Sequence, residues 1–314
     1  MLRLCRLRQR STTNVVPKKM DYRKKFIVEP GTKVKLSKID PAYNGKHLSE
    51  DDAQAETDQH CQRLRELQYL LYASKTHALL IVLQAMDAGG KDGTIGHVMS
   101  AMNPQGTFVA AFKEPTALEL QHDFLWREHT HAPAKGTVTI FNRSHYESVL
   151  VERVHKLVPK ETWSERYKLI NDFEQLLYRQ SNTQIIKFFL HISPEEQLER
   201  FKQRLDDPTR NWKISESDYA ERESWDDYRK AYQDVFARTS TKHAPWYIIP
   251  SNHKWFRNLA VSQIVAATME AMGMQLPKPT VDLEMIREQY HKAVKKENGQ
   301  PAKRTKHIKN EART

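Results

Sequence analysis

Apolar residues in this chain gather in short unbroken runs separated by polar stretches of helical length. HALLIVLQAM (77–86) is such a run. It ends in glycines, the pattern of a strand buried on both faces of a parallel sheet. GTFVAAF (106–112), GTVTIF (136–141), QIIKFFLHI (184–192) and PWYIIP (245–250) are further strands by the same reading, each followed by a segment with helical spacing. Strands alternating with helices predict an α/β sandwich with a mostly parallel sheet. A helix over 50–75 leads into the first strand, and TIGHVMSAM (94–102) has helical character. ISPEEQLERFKQRL (192–205) carries a helix start: Ser193 caps, Pro194 takes the first helical position and Glu196 completes a capping box. Leu198, Phe201 and Leu205 mark the stripe expected to be buried. There is no internal repeat.

The chain has 314 residues, enough for one large domain or two ordinary ones. No apolar run approaches the roughly eighteen residues of a membrane span, so no membrane partner is expected. Two cysteines, Cys5 and Cys61, lie far apart. That spacing argues against a disulfide framework or a zinc site and fits a reducing, cytoplasmic setting.

The net charge of +11 invites a nucleic-acid partner until it is located. Residues 1–19 hold six Lys/Arg and no acid, and residues 291–314 hold eight against two, so each end carries +6. Residues 20–290 carry 36 basic and 37 acidic side chains, a net −1. A balanced body without an RRM-like aromatic signature gives no reason to expect nucleic acid. The basic excess belongs to two segments expected to be disordered, with a single domain over 20–290 between them. Residues 1–19 have the composition of an organellar transit peptide but lack the apolar core of a secretory signal; a start at Met20 behind a mis-assigned extension is the preferred reading.

QAMDAGGKDGTIG (84–96) joins the first long strand to a helix through glycines and a lysine. Strand, glycine loop and helix N-terminus present backbone N–H groups to an anion, and the lysine supplies counter-charge. Against G-x-x-x-x-G-K-[ST], Gly90 and Lys91 match, Ala85 replaces the first glycine and Asp92 stands at the hydroxyl position. Asp87 inside a phosphate cradle would be repelled without a cation between them, which points to Mg2+.

Two further clusters bear charge. NRSHYESVLVERVH (142–155) places Arg143 and Glu147 at the carboxyl end of a strand, where open α/β sheets bind ligands. His145, Glu147 and Glu152 have metal-ligating side chains, although for His145 a structural hydrogen bond is the ordinary role. RFKQRLDDPTRNWK (200–213) sets Arg200 and Arg204 on one helix face, with Arg210, Trp212 and Lys213 beyond a proline break. Such a break suits a cationic lid over a phosphate site, placed at about 200–225; Asp206 and Asp207 equally suit a solvated turn.

Taken in order, MDAGGKDGTI, FNRSHYESVLVERVH, KFFLHISPEEQLERF, RLDDPTRNWK and WDDYRKAYQDVFARTSTKHAPWYIIPSNHKWFRN resemble the successive blocks of the polyphosphate kinase 2 family, over roughly residues 25–275. The resemblance implies a P-loop kinase-like fold of the thymidylate-kinase type, a three-layer sandwich with a helical lid. It implies Mg2+-dependent, reversible transfer of a terminal phosphoryl group between inorganic polyphosphate and a nucleotide. The family's loop pattern G-x-D-x-x-G-K-x-G accommodates Asp87, with Ala85 a small departure. By the same resemblance Asp87, Lys91, Arg143 and Glu147 are catalytic, and Gly89, Gly90, Lys91, Gly93 and Thr94 bind phosphate. Asp87 and Glu147 hold metal, while Arg200, Arg204, Arg210 and Lys213 line the lid and the polyphosphate path. Asn142 stands where some branches carry Asp, which resembles the branch accepting AMP as well as ADP; guanine nucleotides and a homodimer or homotetramer are also compatible. Two other readings stay open from sequence: an ATP-dependent nucleoside monophosphate kinase on the same core, and a non-catalytic polyanion binder.

Overall fold

A computed structural model describes residues 20–45, 47 and 49–298. The chain divides into two compact units, one ending at Gln275 and one beginning at Leu276. The first unit opens with α1 (Tyr22–Phe26), β1 (Ile27–Val28), α2 (Glu50–Ser74), β2 (Ala78–Ala85) and α3 (Lys91–His97). β3 (Thr107–Ala111), α4 (Trp126–Thr130), β4 (Val138–Asn142), α5 (Val151–Val154), α6 (Lys160–Ser181) and β5 (Thr183–His191) follow. It closes with α7 (Pro194–Asp206), α8 (Glu216–Glu223), α9 (Trp225–Thr239), β6 (Trp246–Pro250) and α10 (Lys254–Ala271).

The six strands among the described residues form one sheet in the order β1-β6-β5-β2-β4-β3. All neighbours are parallel except the two-residue β1, which pairs antiparallel with β6 through Ile27–Tyr247 and Val28–Trp246. Every residue of β2 is buried. The reason is that alternate side chains feed two cores. Leu79, Ile81 and Leu83 pack with Leu64, Leu67 and Leu71 of α2 and with Leu259, Ile264 and Val265 of α10. Leu80 and Val82 pack with Ile170 and Phe173 of α6 and with Val235 and Phe236 of α9. Helices on both faces of a mostly parallel sheet make the expected three-layer sandwich. The five long strands lie within two residues of their expected bounds, whereas β1, too short to have a period, was not foreseen.

Three local expectations need correction. α3 starts earlier than the TIGHVMSAM stretch, at Lys91, and gives way at Val98 to a 3₁₀ turn, Met99–Ala101. On α7 the buried face is Gln197, Arg200 and Phe201, while Leu198 and Leu205 are exposed. The stripe shifts because the inner side of α7 meets polar loop backbone beyond the strand ends, which needs hydrogen-bonding side chains rather than leucines. Ser193 Oγ does accept from the Glu196 N–H at 3.2 Å, but the box is not completed. The Glu196 carboxylate instead accepts from Arg200 Nε at 2.7 Å, and the Ser193 N–H donates to Asn252 Oδ1.

Domain limits also differ from expectation. The compact unit closes at Gln275, well before residue 290. The second unit contains α11 (Leu283–Asn298), so residues 291–298 are helical where disorder was expected. The rest of the basic tail and residues 1–19 lie outside the described residues. The Arg200 end of the expected lid belongs to the packed part of α7, and the exposed part runs from Asp207 through a 3₁₀ turn, Asn211–Lys213, to α8. No helix among the described residues is long and apolar enough to cross a membrane.

Candidate functional site

The carboxyl ends of β2 and β4 open onto a cleft of about 1590 Å³, lined by the glycine loop, the β4 turn, α7, the lid and the start of α10. Strand β2 is followed by Met86–Gly90, and Gly90 is the N-cap of α3 with φ +103°. Gly89 is required by space: a Cβ there would lie 2.4 Å from the Ala85 Cβ. The first-turn N–H groups of α3 have no acceptor within the helix, so they form a ready anion site. Lys91 stands beside them with Nζ 3.5 Å from the Ala85 carbonyl. Burial, then the charge of Arg143, push its ammonium below the usual lysine range, against the pull of Asp87, Glu147 and Asp92.

Across the loop, Arg143 adopts φ +64° just past β4 while its N–H donates to Leu83 O at 3.1 Å. That kink turns its guanidinium to within 3.5 Å of Asp87 Oδ1. Burial raises the Glu147 carboxyl above the ordinary range, offset by Arg143 and Lys91. The turn carrying these two residues rests on a buried charged cluster. Lys187 Nζ donates to Glu174 Oε2 at 2.6 Å and to Tyr146 OH and Thr239 O at 2.8 Å. Glu174 Oε1 accepts from Tyr146 OH at 2.8 Å and lies 3.3 Å from His145 Nε2. His145 therefore takes the structural role. Glu152 pairs with Arg166 at 2.6 Å.

Asp92, the residue in the hydroxyl position, accepts from Asn142 Nδ2 at 3.0 Å and pairs with Lys213 Nζ of the lid at 3.4 Å. Burial works against its charge, but those two donors hold the carboxyl below its usual value. The other lid cations are partly engaged as well: Arg204 donates to Lys213 O and faces Asp218 at 3.8 Å, and Arg210 pairs with Asp207 at 3.0 Å. Arg200 is only 5% exposed and lies under the loop rather than on the lid, its guanidinium spread over the carbonyls of Ala88, Ser251 and Asn252.

One expected phosphate ligand is not in the cleft. Thr94 is fully buried, and both its N–H and its hydroxyl are spent on Gly90 O, at 2.9 and 3.1 Å. With its back to the core, it closes the first turn of α3 instead of facing an anion. The site also contains residues that sequence reasoning did not single out. Arg257 of α10 is 2% exposed, packs against Gly90 and Gly93, and hydrogen-bonds only the Asn258 side chain among the described contacts. Burial, then the Arg200 charge, pull its guanidinium down to about 10. Lys254, one turn earlier, donates to Gln203 at 3.2 Å and is lowered by burial and by Arg200, Arg210 and Arg257, with Glu196 opposing. Both stand in the HKWFRN segment, whose signal was a run of cations at a helix start directly after β6.

Chemically, the cleft offers unspent N–H donors, Lys91 between two carboxylates, and cations on both sides of the loop. No group of three or more His, Cys, Asp or Glu among the described residues could form a metal cage. Asp87 lines the cleft, and Glu147, which is not among the lining residues, lies near enough for the two carboxylates to act on each other, a two-carboxylate set near an anion site. That set fits Mg2+, which binds through one or two carboxylates together with substrate phosphates.

Known proteins are similar to this chain in sequence and architecture. The family model described as Polyphosphate kinase 2 (PPK2) matches residues 47–277. The AMP/ADP-polyphosphate phosphotransferase of Meiothermus ruber is 47% identical over 84% of this chain and 98% of its own. The ADP-polyphosphate phosphotransferase of Rhodopseudomonas palustris is 45% identical over 82% and 93%. The crystal structure of polyphosphate kinase 2 from Arthrobacter aurescens TC1 superimposes with a TM-score of 0.81 at 41% identity, covering 84% of this chain and 95% of that one. With the match spanning the glycine loop, the β4 turn, the lid and α10 alike, this chain belongs to the polyphosphate kinase 2 family.

Proposed function

We propose that the protein transfers the terminal phosphoryl group of inorganic polyphosphate to AMP or ADP, reversibly and with Mg2+. One observation carries the reading. Arg257 and Lys254 stand on one side of the loop among other cations, without a salt-bridge carboxylate partner among the described residues, while Arg143 stands on the other side. Cations that depress one another's proton affinity are costly in an empty cleft and become favourable when a polyanion lies between them. A linear phosphate chain on the α10 side, with Arg210 and Lys213 above it, and a nucleotide phosphate on the Arg143 side would meet over Lys91. The name of the Meiothermus ruber relative supports both acceptors, and the names of both relatives favour polyphosphate over ATP as donor.

The residues divide the work as follows. The Gly89 N–H is taken by Met86 O, so the loop amides from Gly90 to Gly93, with Lys91, hold the transferred phosphoryl group. Arg143 clamps the acceptor phosphate. Asp87 and Glu147 would hold Mg2+, which supplies charge neutralisation to the phosphates when bound. The last pKa of a phosphate monoester is roughly 6, so the acceptor oxygen is already ionised and no strong general base is needed. In-line positioning and electrostatic stabilisation supply the rate. Since one phosphoanhydride replaces another, direction follows concentrations.

The test is nucleotide product formation from polyphosphate and Mg2+ with AMP or ADP, separated by chromatography. ATP should appear from ADP, and ADP from AMP. Lys91→Ala and Asp87→Asn should each lower the rate by on the order of a hundred- to a thousand-fold. Turnover that requires ATP as donor would instead favour a monophosphate kinase.

A further inference from the structure

Ala88 adopts φ +58°, a left-handed conformation that is unfavourable for a non-glycine residue. It follows Asp87, so the kink sets where that carboxylate stands. Both carbonyls flanking the kink are gripped from α7. Gln197 Nε2 donates to Asp87 O at 3.0 Å, and Arg200 Nη1 donates to Ala88 O at 2.8 Å. In a trans peptide the C=O and the following N–H point in opposite directions. Fixing these two oxygens toward α7 therefore fixes the N–H groups of Ala88 and Gly89 away from it, and the Gly89 N–H closes on Met86 O at 3.0 Å. Gln197 is 2% exposed, and its other side-chain atom is also engaged: Oε1 accepts from Arg222 Nη1 of α8 at 2.9 Å. Arg222 Nη1 also donates to Pro194 O at 2.8 Å, at the start of α7.

We infer that Gln197 is a positioning residue for phosphoryl transfer, holding the Ala88 kink and thereby Asp87, and that Arg222 links this clamp to the lid helix α8. The inference rests on the phosphotransferase reading for its rate effect only. Arg200 supplies the second grip, but its hold on Ser251 and Asn252 makes its removal a wider disturbance. Gln197 is the cleaner probe because its amide has one donor task and one acceptor task.

The experiment compares wild type with Gln197→Ala, Gln197→Glu, Arg222→Ala and the double variants Gln197→Ala/Arg222→Ala and Gln197→Ala/Ala88→Gly. Steady-state kinetics with polyphosphate and ADP is one readout, and hydrogen exchange of the segment 84–91 in the free protein is the other. Gln197→Ala should lower kcat about tenfold or more with little change in the KM for polyphosphate, and should speed exchange at the loop amides. Gln197→Glu keeps the acceptor for Arg222 but loses the donor to Asp87 O, so it should lose kcat while keeping Tm. Ala88→Gly should recover part of the kcat lost in Gln197→Ala, since glycine holds a positive φ unaided. Arg222→Ala should add little to Gln197→Ala. Wild-type kcat and unchanged loop exchange in Gln197→Ala, or fully additive losses from Gln197 and Arg222, would overturn the inference. If the wild-type chain itself made no ATP, the phosphotransferase reading would fall, and loop exchange would still decide the clamp.

Discussion

The Arg257 guanidinium lies so close to Gly90 that a Cβ on that glycine would stand 2.1 Å from Nη1. The absence of a side chain at 90 thus serves two purposes, a backbone at φ +103° and room for a buried cation beside the loop. Gly90→Ala should fail on both counts. The expected loss is about 1–3 kcal/mol of stability from backbone strain alone, with the KM for polyphosphate raised several-fold as Arg257 is displaced. Gly96→Ala is the contrast for folding: nothing lies within 4 Å of its Cβ position, so denaturant unfolding should show a gain of about 0.5–1 kcal/mol.

The two sides of the cleft should separate in kinetics. Arg257→Ala and Lys254→Ala are expected to raise the KM for polyphosphate several-fold and flatten its dependence on salt, with the KM for ADP nearly unchanged. Arg143→Ala should lower kcat and weaken ADP instead. Initial rates over a matrix of both substrates at two ionic strengths check this; equal effects on both KM values would contradict the division.

The Lys187–Glu174 pair is fully buried beneath the β4 turn. Lys187→Met leaves Glu174 buried with only neutral partners and His145, and should cost about 3–5 kcal/mol. Lys187→Met combined with Glu174→Leu removes both charges and should cost clearly less than the single change. Denaturant unfolding of the set measures it.

The electrostatics of the cleft also fix a pH dependence. Lys91, Lys254 and Arg257 are all held below their ordinary values, by burial first and neighbouring cations second. A base depressed by folding binds fewer protons in the native than in the unfolded state between its two pKa values, so the free protein gains stability as pH rises through that window. A bound polyanion favours the protonated forms. The rise in Tm given by polyphosphate should therefore be full at neutral pH and shrink as pH climbs toward 10, the value to which Arg257 is drawn. Thermal melts with and without polyphosphate across that range check the sign.

The sheet and its helices were legible because β2, β4, β5 and β6 are apolar on both faces and stand out as runs, and β3 shared the glycine-led pattern. The loop was legible because its glycines, lysine and helix start each have a physical reason. What escaped was set by tertiary contact. Arg257 reads as an ordinary helix cation until α10 is seen to cross the loop. Arg200 reads as a lid cation and Gln197 as part of a solvated face of α7, because periodicity assigns the inside to Leu198 and Leu205. Thr94 is a phosphate ligand by the family resemblance alone, and only the turn of α3 shows its hydroxyl bound to Gly90 O.

The most direct measurement of the central claim is the stoichiometry of transfer: phosphate lost from polyphosphate of defined length, nucleoside triphosphate formed from ADP, and free inorganic phosphate, all followed in one reaction with Mg2+. The account expects one ATP for each phosphoryl unit lost, no accumulation of inorganic phosphate, and chain regrowth when ATP is added in excess. Polyphosphate shortening that releases inorganic phosphate without ATP, or no shortening at all, would contradict it.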